Sequence, residues 1–356
     1  MADRSIHYFA RGNTAQGLSS LADSVLQGLS VIYVLQGYPG GTEKALADLA
    51  EICSQNDSKL HFIHQALDSD LLEGIIIEDF SVAVIDGEIW SEELQSNRNA
   101  EIHYIDLSSA SLDTQKLTEA DTRIKELEKE IKGLYCKAYE TFHKTLLIHD
   151  DWEKLYIDNL DRDRMNQLAI EWSDKYLQRT SGEQDQQGSE IHRFLGAATC
   201  KGAVDFIPSL TDGLQHRVFV KGRPGSGKST LFKKLAASAI ENGIDTEIYH
   251  CGFDSNSLDM LIFRGLSLAI FDSTAPHEHD PSRDGDVILD VYDLAITEGT
   301  DEKYAEEIAI VKERYSQSMR ESISYLAQVK ELRDELKAIY TEAADTSLLS
   351  EWLTEV

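Results

Sequence analysis

The chain is short of basic residues, proline and cysteine, and it has no long apolar run. Lys and Arg number 34 against 63 Asp and Glu, giving a formal net charge of −29. Nucleic-acid binding needs a broad basic face, so no nucleic-acid partner is expected. The four cysteines, Cys53, Cys136, Cys200 and Cys251, are far apart and form no C-x-x-C pair. That argues against a thiolate zinc motif and fits a reduced, cytoplasmic chain. Only five prolines and few long polar tracts speak against extensive disorder. No apolar stretch approaches the roughly 18 residues that read as a membrane span. The opening Met-Ala-Asp-Arg-Ser carries no signal-peptide core. A soluble protein with no membrane partner is the expectation. What remains is ample for folding: 356 residues, 42% of them hydrophobic, suffice for two ordinary domains or one large one.

The most informative stretch is Gly222-Arg223-Pro224-Gly225-Ser226-Gly227-Lys228-Ser229-Thr230, which fits the phosphate-loop pattern G-x-x-x-x-G-K-[ST]. The apolar run Val218-Phe219-Val220 leads into it and the helix-forming run Leu231 to Ile240 follows, the strand–loop–helix context the pattern requires. Glycines let successive backbone N–H groups turn toward one spot, and a helix N-terminus adds its positive end. Lys228 would reach the phosphates, and the Ser229 hydroxyl would ligate Mg²⁺. Between Arg217 and Leu235 stand Arg217, Lys221, Arg223, Lys228, Lys233 and Lys234, with no acidic residue. Such a basic island in an acidic chain suggests an anionic ligand. Asp272 ends the run Leu266-Ser267-Leu268-Ala269-Ile270-Phe271, where a carboxylate at a strand tip can hold Mg²⁺. Ser273 follows it, where an acid would orient an attacking water, so the general base is open among Asp254, Asp259, His250 and His277. Asp254-Ser255-Asn256-Ser257 also reads as a helix N-cap.

The chain repeats itself. Ile6-His7-Tyr8-Phe9 returns as Ile191-His192-Arg193-Phe194, and Thr14 and Gly17 as Thr199 and Gly202. Gly37, Pro39 and Gly40 match Gly222, Pro224 and Gly225, His64 matches His250, and Val82–Asp86 matches Leu268–Asp272. Further on, Tyr135 matches Tyr315 and Trp172 matches Trp352. The expected architecture is α/β: two tandem P-loop NTPase-like three-layer domains with mainly parallel sheets, each followed by a long helical segment. The expected domains are 1–180, with helix over about 115–172, and 191–356, with helix over about 302–352, joined by a linker at 181–190. Each repeat is expected to place a polar, helix-like stretch after its opening strand. The heptad-like stripes, Leu117, Ile124, Leu127, Ile131 and Leu134 and then Val311, Tyr315, Met319, Ile323 and Leu326, read better as helices packed on their own domains than as an intermolecular coiled coil. In the first repeat, Thr42, Glu43 and Lys44 stand opposite Gly227, Lys228 and Ser229, so a carboxylate replaces the lysine and the site is expected to be degenerate.

With Gly222–Thr230 and Asp272, the second half resembles the P-loop NTPase superfamily. The duplicated layout, the His-x-Phe openings and the segments Asp254–Asp259 and Asp272–His277 resemble a poorly characterised bacterial family of tandem P-loop ATPases. The resemblance implies ATP, with GTP not excluded, and Mg²⁺ at Gly222–Thr230 and Asp272. The leading expectation is an ATPase whose degenerate first half is regulatory or structural and contacts the second, with Arg11 or Arg98 as candidates to act in trans. A small-molecule or nucleotide kinase using the helical segment as a lid is one alternative, and a nucleotide-holding scaffold another. A second substrate or protein partner is left unnamed. No Leu-Ser-Gly-Gly-Gln signature supports a transporter, and no N-K-x-D motif supports guanine.

Overall fold

The computed structural model describes residues 5–55, 58–90, 94, 99–108, 112–178 and 187–345. Arg98, Trp352 and most of the expected linker lie outside them. The first half holds β1 (Ile6–Phe9), β2 (Arg11–Thr14), β3 (Gly17–Ser20), α1 (Ala22–Val25), β4 (Val31–Gln36), α2 (Gly41–Ser54), β5 (Leu60–His64), β6 (Leu72–Ile77), β7 (Val82–Asp86), α3 (Gly87–Trp90), β8 (Glu101–Asp106), α4 (Thr114–Ile157) and α5 (Arg162–Tyr176). The second holds β9 (Glu190–Phe194), β10 (Gly196–Thr199), β11 (Gly202–Asp205), α6 (Ile207–Leu210), β12 (His216–Lys221), α7 (Lys228–Glu241), β13 (Thr246–His250), β14 (Leu258–Phe263), β15 (Leu268–Asp272), β16 (Asp286–Asp290), α8 (Val291–Ala295), α9 (Thr300–Lys303) and α10 (Ala305–Ala343).

The stretch after each opening strand is a β-hairpin, not a polar helix. The repeated Thr and Gly are its turn markers. Thr14 and Thr199 each accept the N–H two residues on, and Gly17 and Gly202 take φ of 101° and 104°, which suits glycine.

Among the described residues, twelve strands form one sheet of an α/β fold, in the order β16-β12-β15-β14-β13-β9-β1-β5-β6-β7-β4-β8. Reading outward from the central pair β1 and β9, the two halves have the same order. They meet antiparallel at Phe9 opposite Phe194. The sheet is mixed, because β6 and β14 run antiparallel to both neighbours. The connections Gln65–Leu71 and Cys251–Ser257 hold no crossover helix, and parallel pairing needs a dozen or more residues. All six residues of β14 are buried, Asp259 among them. Across the seam, the Arg193 guanidinium lies over the Tyr8 ring and His192 N–H donates to Ser24 Oγ at 2.7 Å. One apolar core, with Tyr8, Val34, Ile63, Phe219, Met260 and Phe271, runs through both halves.

The heptad-like stripes find each other inside the chain. Helices α4 and α10 pack antiparallel, with Ile124 and Leu127 near Leu336, and Ala138 and Phe142 near Leu326 and Val329. Arg123 pairs with Glu335 at one end and Arg314 with Asp151 at the other. Each arm also crosses to the opposite half. Met165, Leu168 and Ala169 of α5 join the core of Val218, Val220, Leu231 and Leu235, while Tyr340 of α10 packs on that of Leu35, Tyr38 and Leu46. The expected division at 181–190 therefore separates the sequence repeats but not the packed units, since α5 is built into the second half. No helix among the described residues is long and apolar enough to cross a membrane.

Candidate functional site

Strand β12 delivers the chain to the glycine-rich loop. It is tied at its start by Arg217, whose guanidinium donates to both Asp286 oxygens, at 2.8 and 2.6 Å. That guanidinium, with the Ser282 and Arg283 N–H groups, holds the Asp286 carboxyl well below the usual carboxylate range. A depressed folded-state pKa gives stability that is present above the ordinary carboxylate value near 4 and lost as pH falls through the folded one. Asp286→Asn is expected to cost about 1–3 kcal/mol at neutral pH. In denaturant titrations over pH 7 to 2, the gap between wild type and variant should narrow on acidification.

The loop closes on itself. Ser226 Oγ donates to Arg223 O at 2.7 Å and accepts from Arg223 N at 3.2 Å. Gly225 and Gly227 take φ of 73° and 90°, conformations that a side chain would strain. Gly227 is the N-cap of α7, and Lys228 is its first residue. Lys228 is 9% exposed and its Nζ lies between Arg223 O at 3.1 Å and Asp272 Oδ2 at 3.5 Å. Strand β15 lies directly beside β12, which sets Asp272 opposite Val220. Asp272 Oδ1 accepts from Thr274 N and Oγ1 at 2.9 and 2.6 Å. Ser229 Oγ accepts from Leu258 N–H at 3.0 Å. The side chain of Arg223 turns away, pairing with Asp301 at 2.9 Å over the Tyr292 ring, while Pro224 is half-buried and Thr230 is exposed.

The basic island is thus largely engaged by protein groups. Arg217, Arg223 and Lys228 have carboxylate partners, Lys221 donates to Ser273 O and His279 O, and Lys234 donates to Asn166. Of these cations, Lys228 is the one set across the loop.

Two of the four candidate bases reach the site and two do not. His250 donates Nδ1–H to Ser255 O and meets His192 through Nε2, and His64 repeats this with Ser69 and His7. It is a structural device of the repeat. Asp254 does not cap a helix. It closes a turn, accepting from Asn256 N and Ser257 Oγ, and takes Gln16 from the first half.

Asp259 and His277 do line the site. His277 Nε2 lies 3.9 Å from Asp259 Oδ2, and its Nδ1 lies 3.1 Å from Asp205 Oδ2. His279 takes the other Asp205 oxygen at 3.0 Å. Burial pushes the Asp259 carboxyl up to about 6; the nearby Asp272 charge adds to this, and His277 and Lys228 oppose it. Burial opposes a charged His277, but the Asp205 hydrogen bond and the Asp259, Asp205 and Asp272 carboxylates outweigh it and raise its pKa.

In the first half the equivalent place is closed, though not as the sequence matches suggest. Helix α2 begins at Gly41 and α7 at Lys228, and each has 14 residues. Four residues, Gly37–Gly40, separate strand from helix, against six at Gly222–Gly227. Gly41 therefore takes the place of Lys228, and Thr42 that of Ser229. Glu43 lies one step further on. The lysine is absent rather than replaced by an acid, and the hydroxyl is kept. Thr42 Oγ1 donates to Asp86 Oδ2 at 2.6 Å. The Tyr38 ring presses on Gly41, where an added Cβ would meet it at 2.8 Å. Buried Glu43 is taken by Lys337 of α10 at 2.8 Å. Arg11 is buried against Glu73 at 2.8 Å and is not directed at the glycine-rich loop.

Asp205 and Glu153, which touch the site from a hairpin and from the other half's arm, carried no motif that sequence reading could find. No family model, curated protein or solved structure matches the chain.

Proposed function

We propose that the chain binds a nucleoside triphosphate with Mg²⁺ at Gly222–Thr230 and Asp272, and hydrolyses it. In this reading the two halves are tandem P-loop NTPase-like modules, of which the second is active and the first structural or regulatory. The observation that carries it is the buried Lys228 ammonium, held across a glycine-rich loop 3.5 Å from a carboxylate at the tip of the adjacent strand. The loop suits phosphate: Gly225 and Gly227 supply the left-handed backbone such a loop needs, and the N–H groups opening α7 favour an anion. Asp272 and Ser229 are oxygen donors of the kind Mg²⁺ takes, and the ion would neutralise phosphate charge. ATP is preferred to GTP because no guanine-reading motif is found. His277, oriented by Asp205, is the group best placed to handle a proton.

The test is calorimetric titration with a non-hydrolysable ATP analogue and Mg²⁺, beside Lys228→Ala. One site per chain is expected, weakened about ten- to a hundred-fold in the variant, as for loss of hydrogen bonds to charge. Two sites, or one indifferent to Lys228, would overturn the reading. Phosphate release without a second substrate supports hydrolysis; transfer only to an added acceptor would make the protein a kinase, and binding without either a scaffold.

A further inference from the structure

The first half's arm already holds the phosphate loop. Glu153, in the last turns of α4, accepts from Gly225 N–H through Oε1 at 3.2 Å. Its backbone closes in as well: a Cβ added at Gly225 would lie 2.4 Å from Glu153 O. Leu160 and Met165 continue the wall, with Met165 Cε 3.2 Å from where a Cβ on Gly227 would stand. A clamp lies beside this contact. Tyr156 OH donates to Asp301 Oδ1 at 2.8 Å, and Arg223 of the loop takes Asp301 Oδ2 at 2.9 Å. A carboxylate thus uses one of the loop's N–H donors, and the negative C-terminal end of α4 lies against the same loop.

The other arm makes the opposite pairing. Over Gly40 stand Lys337 and Thr341 of α10, and Lys337 is ion-paired to Glu43 with both side chains largely buried. That contact joins opposite charges where no lysine of the loop is left to serve a phosphate. It has nothing to release it. The Glu153 contact sets a negative group on a loop suited to an anion, so an incoming phosphate competes with it directly.

We propose that α4 is a built-in competitor for the loop, with the Glu153 carboxylate standing in for a phosphate oxygen, so that nucleotide binding must displace the end of α4. This rests on the nucleotide reading above and adds its regulation. Because α4 runs 44 residues back along α10 to the first half, its displacement is the signal that links loop occupancy to the arm pair. The α10 contact is then the fixed end and the α4 contact the one that opens. By linkage, whatever holds α4 down weakens nucleotide binding, and nucleotide loosens α4 by the same factor.

The experiment titrates Mg²⁺ and a non-hydrolysable ATP analogue into wild type, Glu153→Ala and Glu153→Gln, each also with Lys228→Ala, and follows hydrogen exchange over residues 145–165. The Glu153 side chain is about a third exposed, so both variants should fold. Charged hydrogen bonds are worth enough that Glu153→Ala should bind about ten-fold or more tighter, with Glu153→Gln between it and wild type. In wild type the nucleotide should speed exchange over residues 145–165. Binding seen only in the Glu153 variants would support the competitor strongly. Equal or weaker binding in Glu153→Ala, with wild type binding well, would overturn the competitor and leave the nucleotide reading standing. No binding in any chain, or binding unaffected by Lys228→Ala, would overturn both.

Discussion

An Arg11→Ala variant is expected to lose about 3–5 kcal/mol of stability, the usual cost of removing one partner from a buried ion pair. Arg11 and Glu73 are paired at 2.8 Å with side chains 4% and 2% exposed. The guanidinium also lies over the Trp90 ring, 4.4 Å from its centroid, and the Trp90 indole N–H donates to Glu73 O. Removing the arginine takes the cation from a buried carboxylate in β6 and strips a face from the tryptophan. Denaturant unfolding followed by tryptophan fluorescence would measure the loss. Replacing both partners, as Arg11→Met with Glu73→Leu, should recover most of it, since a buried pair often costs as much to desolvate as it returns. A loss below 1 kcal/mol in the single variant would show that Glu73 is satisfied without Arg11.

The two halves differ at this pair. Glu73 in β6 and Asp259 in β14 hold the same place, a buried acid on the antiparallel strand. Gly196, which follows Leu195 as Arg11 follows Ala10, cannot neutralise Asp259. Its carboxylate is left facing Lys228, Asp272 and His277. One half pairs its acid with an arginine, and the other holds it beside Lys228, Asp272 and His277.

Part of this was legible in the sequence. The glycine-rich loop, its flanking strand and helix, the acid at the end of β15 and the repeat itself all follow from local patterns, because turn glycines and apolar runs act over a few residues. The antiparallel strands β6 and β14 were not legible. Leu72–Ile77 and Leu258–Phe263 are apolar runs without alternation, and nothing local tells which neighbours they pair with. The register at Gly41 was missed because matching letters aligned Glu43 with Lys228, while the helix start depends on a loop shortened by two residues. The crossed arms were hidden for a different reason. A heptad stripe states that a partner exists but not which one, and α4 and α10 are partners across most of the chain. Glu153 and Asp205 enter the site only through that tertiary arrangement.

On the hydrolysis proposed above, His277→Asn is expected to lower nucleotide turnover by about 10²- to 10⁴-fold while leaving nucleotide affinity within a few-fold of wild type. The expectation rests on orientation. With Nδ1–H donating to Asp205, the other ring nitrogen is presented to Asp259 beside Lys228 and Asp272. This is the arrangement by which a carboxylate fixes a histidine tautomer for proton transfer. Asp205→Asn should give a smaller loss and move the pH profile. His277 is held above its ordinary value, with the Asp205 hydrogen bond the largest of the influences that raise it, so its removal lowers the histidine pKa. If the neutral imidazole is the base, the acid limb of the rate profile must then shift to lower pH. Steady-state phosphate release from pH 5 to 9, with analogue titration at the same pH values, separates the two roles. A purely structural histidine would change affinity and stability together and leave the acid limb where it was. Full turnover in His277→Asn would remove the histidine from the chemistry and leave Asp259, with its carboxyl near pH 6, as the remaining group of this cluster positioned to take the proton.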